Sequence, residues 1–582
     1  MRVRLGRYAP IVRWFPKYTP TLFVNDALAA AVVTLLLIPQ ALAYALLAGM
    51  PAQTGLYASI LPLLAYAVLG TSRTLAVGPF AVVSIMTATA VNQVVAQTGL
   101  DYISVAVLLA LLSGMMLIAL GILRLGFLIN LLSRPVISGF IAASGILIAA
   151  SQFGQMLGMP VQGQTLWALA QRLWELYGEF DRGTLAIGLS SLATLICLKR
   201  YLYPLLILIG LSDTASRLMA RSGPIVIIVV SIWLSVRWQL SEHGVAVIGR
   251  VASGLPELAL PHITWQALES SWSAALLISI VAFAESVSMA QTLANRRGER
   301  IDPDQELIGL GAANMASAFS GAFPVSASLS RSAVNDEAGA ATPAAGAMTA
   351  LGVALAALFL MPLISQLPRV VLAVIIIHAV ASLVNPSSFV RAWRYSRNDG
   401  VAQIATFLLT LLAGVTNGLI LGVVLSLVMY LYRTTLPHTA IVGRLPGTEH
   451  FRNVRRHRVE TRSRLAILRI DESLYFGNAR FLEDTVAQVV AEQPMLRDLV
   501  LMCPAVNYID ISAIDSLELI QKRLHDGHIC LHLAEVKGPV MDQLKKTEFL
   551  EKINGRVFLS TYAAWKELQA DEPESGRRSA HS

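Results

Sequence analysis

Residues 324–337 read PVSASLSRSAVNDE, and the rest of the chain is organised around them. The stretch lies between two apolar runs, yet it holds four serines and an arginine. Pro324 blocks a preceding helix, Val325 to Ala327 can run extended, and a helix can start near Ser328. Such a break at membrane depth is tolerated only where the chain lines a cavity or is buried in protein. The N-terminus of the following half-helix presents unpaired N–H groups and about half a positive charge. Arg331 sits one turn in, and a cation at mid-bilayer costs about 2.5–3.5 kcal/mol on the insertion scale. An anion arriving there relieves both. The stretch therefore reads as half of an anion site.

Composition places most of the chain in lipid. Of 582 residues, 55% are hydrophobic and 14% charged, with mean hydropathy +0.61, whereas soluble domains carry about 25% charged residues. The net charge of +8 is no nucleic-acid signal, because the basic residues fall in short clusters between apolar runs. Cys197, Cys503 and Cys530 make no disulfide framework and suit a reducing face for the C-terminal part. No cleavable signal is read. Arg2, Arg4, Arg7, Arg13 and Lys17 precede the first apolar run and hold residues 1–24 in the cytoplasm.

From 25 to 434 one apolar run follows another. At about 20 residues per span these make fourteen candidate segments, two of them shortened by breaks. Both ends then lie in the cytoplasm. Arg73, Arg124, Arg134, Arg296, Arg297, Arg300, Arg391, Arg394, Arg397 and Arg433 all fall on the inner side of that scheme. Lys199–Arg200 interrupts an apolar stretch, and YLYPLLILIG suits either a membrane or an interfacial helix, so the bounds of spans six and seven stay open. PSSFVRAWRYSR, Pro386–Arg397, reads as an amphipathic helix lying on the inner face.

The second break is in TLAVGPFAVVSIM, Thr74–Met86, where Gly78–Pro79 precedes a helix with Pro79 at its first position. Phe80 and Ser84 stand one turn apart at its start. Two interrupted apolar segments at matching places in two halves are the best sequence pointer to a transporter site. Here they fall in the third span of each half, with repeats at about 25–240 and 272–433. Seven is odd, so the second copy enters the membrane inverted, and the two half-helix N-termini meet near the midplane.

Other residues converge on the same gap. In the first span, Asp26 to Leu47, Pro39 is expected to kink the helix, and Gln40 and Tyr44 share one face. They either glue helices together or line the site. Glu285, mid-way along the eighth span, either forms a neutral pair with Arg331 or takes up a proton; proton coupling is the preferred reading. Ser288, one turn on, bonds substrate or packs.

After the linker, 435–463, the pattern becomes that of a soluble α/β domain over 464–570. LAILRI, DLVLMC and ICLHLAEV read as strands, and NARFLEDTVAQVVAEQ and AIDSLELIQKRLHDG as helices. Ser512 to Asp515 fits a capping pattern, which makes Ser512 an N-cap; a phosphate there also suits the helix dipole. Residues 571–582 are charged and read as a disordered tail.

GLYAS to GTSR (Gly55–Arg73), LAVGPFAVVSIM from Leu75 and SASLSRSAVN from Ser326 together resemble the sulfate permease family, the SulP or solute carrier 26 anion transporters. The C-terminal part resembles the STAS domain. The resemblance implies an α-helical polytopic membrane protein with 14 transmembrane segments as two inverted seven-span repeats, a uracil-transporter-like fold, plus a small cytoplasmic α/β STAS domain. It implies a homodimer in an inner (plasma) membrane and a transporter, not an enzyme. It places substrate contacts at Gln40, Tyr44, Phe80, Ser328, Ser330 and Arg331 and proton coupling at Glu285; the residues themselves add Gly78, Ser84 and Ser288 as secondary candidates. Tyr44 stands where relatives often have phenylalanine. Ser512 aligns with the phosphorylated serine of anti-sigma factor antagonists, but DISA replaces their DSSG, so the domain more readily serves assembly or a cytoplasmic protein partner. The expected function is secondary active transport of sulfate, bicarbonate or a dicarboxylate by alternating access, with a proton as coupling ion and neither cofactor nor metal. The competing readings are an uncoupled anion exchanger or channel, a nucleobase transporter of the same fold, and a membrane-anchored scaffold.

Overall fold

The computed structural model describes residues 9–127, 133–159, 161, 163, 165–210, 212, 213, 216, 219, 223–249, 254–258 and 264–568. Residues 1–8, with three of the N-terminal arginines, and the tail at 571–582 lie outside the described residues. The chain divides into two units, one ending at Ser426 and the other beginning at Leu427.

In the first unit, and across its boundary as far as Thr435, the apolar runs are helical. They occur in the order Pro20–Leu47, Ala52–Tyr57, Leu61–Leu69, Ala81–Thr98, Tyr102–Ile122, Arg134–Met156, Arg182–Leu208 and Gly223–Trp238. Then come Trp265–Arg297, Pro303–Phe319, Leu329–Glu337, Ala344–Phe359, Arg369–Ala381, Arg397–Ala413 and Val415–Thr435. Among the described residues, eight helical stretches are long and apolar enough to cross a bilayer by length and composition. Thr19, Asp101, Ser133, Asp181, Thr264 and Asp302 cap their helices with side-chain oxygens, meeting first-turn N–H groups that have no partner within the helix.

Several local expectations shift. The first helix starts at Pro20, not Asp26, because Thr19 caps it and Pro20 takes the first position, and it remains helical through Pro39. Lys199, Arg200 and the YLYP segment continue one helix as far as Leu208. Pro386–Tyr395 is a separate short helix with no buried residue.

Small residues set how closely helices approach. A side chain at Gly114 would come within 2.7 Å of the Gly311 carbonyl oxygen, and one at Gly55 within 1.9 Å of that of Ala41. Backbones touching through glycine are how helices pack where lipid gives no hydrophobic drive for association.

The two interrupted segments meet. Strand β1 (Val77–Gly78) pairs antiparallel with β2 (Ser326–Ala327), Val77 opposite Ala327 and Gly78 opposite Ser326. Each strand leads directly into a helix, Ala81–Thr98 and Leu329–Glu337. Antiparallel pairing therefore starts the two helices side by side and sends them off in opposite senses.

The second unit contains a six-stranded sheet of order β4-β3-β5-β6-β7-β8. Strands β5 (Leu465–Ile470), β6 (Asp498–Met502), β7 (Cys530–Ala534) and β8 (Val557–Phe558) are parallel. Helices Ala479–Glu492 and Ile511–Asp526 make the crossovers between the first three. Alternation along β5 splits the core: Ala466, Leu468 and Ile470 join one apolar cluster, Leu465 and Ile467 the other. The segment expected to be a linker instead holds β3 (Thr439–Arg444) and β4 (Phe451–Asn453), an antiparallel hairpin added to the edge at β5. Between them Gly447, with φ +71°, supplies the left-handed residue that the reversal after Pro446 requires.

Candidate functional site

The short β1–β2 pairing leaves most polar groups around it to be satisfied by side chains, and they are. The Ser328 N–H donates to the Ala76 carbonyl at 3.1 Å. The Ala76 N–H donates to the Ser332 hydroxyl at 2.9 Å, and the Asn335 amide donates to the Thr74 carbonyl at 3.0 Å. On the far side, Asn314 grips Val325 twice, donating to its carbonyl at 3.0 Å and accepting its N–H at 2.9 Å. Ser286 meets the Ser326 hydroxyl at 3.3 Å and accepts the Ala327 N–H at 3.2 Å. The crossing is thus held by side chains from neighbouring helices, which is how an irregular backbone persists at this depth.

Arg331 joins the two half-helices. Its Nη2 donates to the Pro79 carbonyl at 2.8 Å, just ahead of the first half-helix, and its Nη1 to Gln40 Oε1 at 3.2 Å. The side chain is buried, with 1% of its surface exposed. Neither half-helix is capped by its own N-cap side chain, Phe80 in one and Ser328 in the other. Both helix starts therefore keep first-turn N–H groups that no N-cap side chain satisfies, a setting in which a negative charge is favoured.

Three of the expected residues carry buried polar atoms without partners. Among the described residues, Arg331 Nε, the Ser84 hydroxyl and both Glu285 carboxylate oxygens have none. Each such group left without a partner costs about 1–3 kcal/mol, more when charged. Glu285 immediately precedes Ser286, which bonds to β2, and 3% of its surface is exposed. The neutral Glu285–Arg331 pair is not formed: Arg331 spends its terminal nitrogens on Gln40 and Pro79.

The other expected residues divide. Phe80 and Tyr44 are buried, Gln40 is half-buried, and Ser328 is buried within 3.2 Å of the exposed Ser330 hydroxyl. Gly78 adopts φ +154°, and a Cβ there would sit 3.5 Å from Arg331 Nη2. The first half-helix begins at Ala81, not Pro79, because the backbone stays extended through Phe80 and the Pro79 carbonyl is taken by Arg331. Ser288 is exposed and is not in contact with β2; Ser286 is the serine of that helix which reaches the crossing. Ser286, Asn314 and Ser332 escaped sequence reading because a polar residue on an apolar helix shows no partner until the crossing is in place.

Two buried carboxylates were also missed. Glu306 accepts from Tyr66 Oη at 2.7 Å, from the Thr71 and Ser72 N–H groups at 2.8 and 3.0 Å, and from the Thr71 hydroxyl. Asp26 accepts from the Ala341 and Thr342 N–H groups at 2.7 and 3.0 Å and from the Thr342 and Tyr18 hydroxyls. Each carboxylate ties a helix to a turn beside one broken segment.

In the second unit, Ser512 is not the N-cap. Asp510 caps the helix, its Oδ1 accepting the Ala513 N–H at 2.9 Å and its Oδ2 the Phe476 N–H at 2.8 Å, so Ser512 lies inside the first turn, half-buried. Asp498, Cys530 and His532 cluster within metal-ligand reach. His532 Nδ1 accepts the Arg556 N–H at 3.0 Å, which leaves Nε2 to carry the proton given to Asp498 at 3.0 Å. Both ring nitrogens of His532 are thus engaged in hydrogen bonds.

Comparison with known proteins agrees with this geometry. The Sulfate permease family model matches residues 23–406, and the STAS domain model matches 456–564. The chloroplastic sulfate transporter 4.1 of Arabidopsis thaliana is 30% identical, over 94% of this chain and 82% of its own length. A probable sulfate transporter of Mycobacterium tuberculosis is 32% identical, over 94% of this chain and 95% of its own. Among solved structures, the murine solute carrier 26 family member A9 anion transporter superposes with TM-score 0.87 at 22% identity, covering 98% of this chain and 95% of that one. The transmembrane domain of a cyanobacterial bicarbonate transporter gives TM-score 0.59 at 18% identity, over 70% and 98%.

Proposed function

The chain belongs to the sulfate permease family of membrane anion transporters and carries a STAS domain, and from that premise we propose that it takes up sulfate or a close oxyanion by proton-coupled symport with alternating access. The observation that carries this reading is the β1–β2 crossing, where two half-helix N-termini and Arg331 share one buried region. The anion binds against the first-turn N–H groups, with Arg331 Nε and the hydroxyls of Ser84, Ser328 and Ser330 as donors. Gln40 fixes the guanidinium, and Tyr44 and Phe80 exclude water from the rest of the gap. Glu285, buried and unpaired, takes up the proton that travels with the anion.

Sulfate comes first among candidate substrates because the relatives over 94% of the chain are named for it; bicarbonate and dicarboxylates carry the same charge pattern. The clusters of basic residues between helices support a plasma-membrane protein with both ends in the cytoplasm, working as a homodimer whose STAS domain meets a cytoplasmic protein.

Uptake of radiolabelled sulfate, bicarbonate and succinate into proteoliposomes, with and without an inward proton gradient, tests the proposal. Gradient-stimulated, saturable sulfate uptake is expected. Uptake indifferent to the gradient means exchange or uncoupled transport, and absence of uptake of all three anions removes the reading.

A further inference from the structure

The second unit carries a recess that anion transport leaves unused. It measures about 240 Å³ and is lined by His438, Arg452, Asn453, Arg456, His457 and Arg469. The added hairpin builds it: Arg452 lies on β4 opposite Gly443 of β3, and Arg469 on β5 opposite Ala440 of β3. Three adjacent strands and the turn after β4 thus bring three arginines and two histidines to one opening. One carboxylate intrudes. Asp471 accepts from Arg469 at 2.6 and 2.9 Å and meets His438 Nδ1 at 2.7 Å, so it neutralises the β5 wall. No carboxylate pairs with Arg452 or Arg456 among the described residues. Asn453 turns its Oδ1 to the Arg455 N–H at 2.8 Å, which leaves its amide nitrogen as a donor.

We propose that this recess binds a phosphoryl group, carried by the headgroup of an acidic phospholipid or by a free phosphate compound. Two guanidinium groups without a carboxylate partner, Arg452 keeping an Nη1 bond to the Phe451 carbonyl at 3.1 Å, and an amide donor suit a tetrahedral oxyanion, and arginine is the side chain best suited to hold it. The volume is below the roughly 300–1,000 Å³ of sites for drug-sized ligands, so it suits a headgroup or a small phosphate. His438 follows the end of the apolar helix Val415–Thr435 by only three residues, a reach of about 10 Å if extended. The run RNVRRHR at 452–458 is therefore a polybasic segment close to a helix end of membrane type, the usual setting for acidic headgroups.

The test uses the purified full-length protein and an Arg452→Ser/Arg456→Ser double variant. One arm titrates inorganic phosphate calorimetrically in detergent; the other measures retention of phosphatidylglycerol against phosphatidylcholine by native mass spectrometry. Each lost arginine should weaken binding about five-fold, in the phosphate arm if the source is soluble, in the phosphatidylglycerol arm if it is lipid. Should the double variant fail to fold, Asn453→Asp keeps the acceptor for Arg455 while adding a negative charge, and should reduce the same binding. Equal phosphate affinity and equal phosphatidylglycerol retention in wild type and folded variant overturn the proposal.

Discussion

Replacing Arg331 by lysine separates geometry from charge at the crossing. The guanidinium acts in three directions: Nη2 to the Pro79 carbonyl at 2.8 Å, Nη1 to Gln40 at 3.2 Å, and Nε without a partner. Lysine keeps the positive charge but has one nitrogen, which must choose between the Pro79 carbonyl and the anion. Losing a hydrogen bond to a charged group costs about 1.5–3 kcal/mol, so the Michaelis constant for sulfate should rise about ten- to hundred-fold. The assay is initial-rate uptake into proteoliposomes over a range of sulfate concentrations. Amounts are normalised by reconstituted protein, and folding is checked by a single symmetric peak on size-exclusion chromatography. A Michaelis constant within about two-fold of wild type in a well-folded Arg331→Lys protein would show that Nε does not touch the anion, and the site as drawn would be wrong.

Glu285→Gln removes the protonatable group without changing shape; sulfate uptake should persist but lose its stimulation by an inward proton gradient, and stimulation equal to wild type refutes the coupling role. Gly78→Ala places a Cβ 3.5 Å from Arg331 Nη2 at φ +154°, strain of about 1–3 kcal/mol, so both uptake and melting temperature should fall; an unchanged melting temperature counts against strain there. Glu306→Gln keeps an amide oxygen for the Thr71 and Ser72 N–H groups but sets an NH2 where Tyr66 now donates, and with the charge-assisted bonds lost should destabilise the transport unit by about 1.5–3 kcal/mol, read as a lower melting temperature in detergent. Asp510→Ala removes the cap of Ile511–Asp526 at about 1 kcal/mol; Ser512→Ala should cost less, and the reverse order would restore Ser512 as the cap.

Some of this was legible in the chain itself. Proline and glycine cannot continue a helix in the conformations they hold at 78–79 and 324, so both breaks, and the charged and hydroxylated residues beside them, could be named from local chemistry alone. The apolar run LAILRI likewise announced a strand. Pairings were not legible, because a buried polar group acquires its meaning from a partner hundreds of residues away. Arg331 reads equally well as a mate for Glu285 until packing delivers Pro79 and Gln40 to it. Ser286, Asn314 and Glu306 look like stray polarity until a loop or a strand arrives for them to hold. The β3–β4 hairpin was hidden because its edge strand β4 is only three residues, Phe451–Asn453, and gains its stability from the sheet it joins. Local backbone limits belong to the residue, whereas the satisfaction of buried donors and charges belongs to the whole fold.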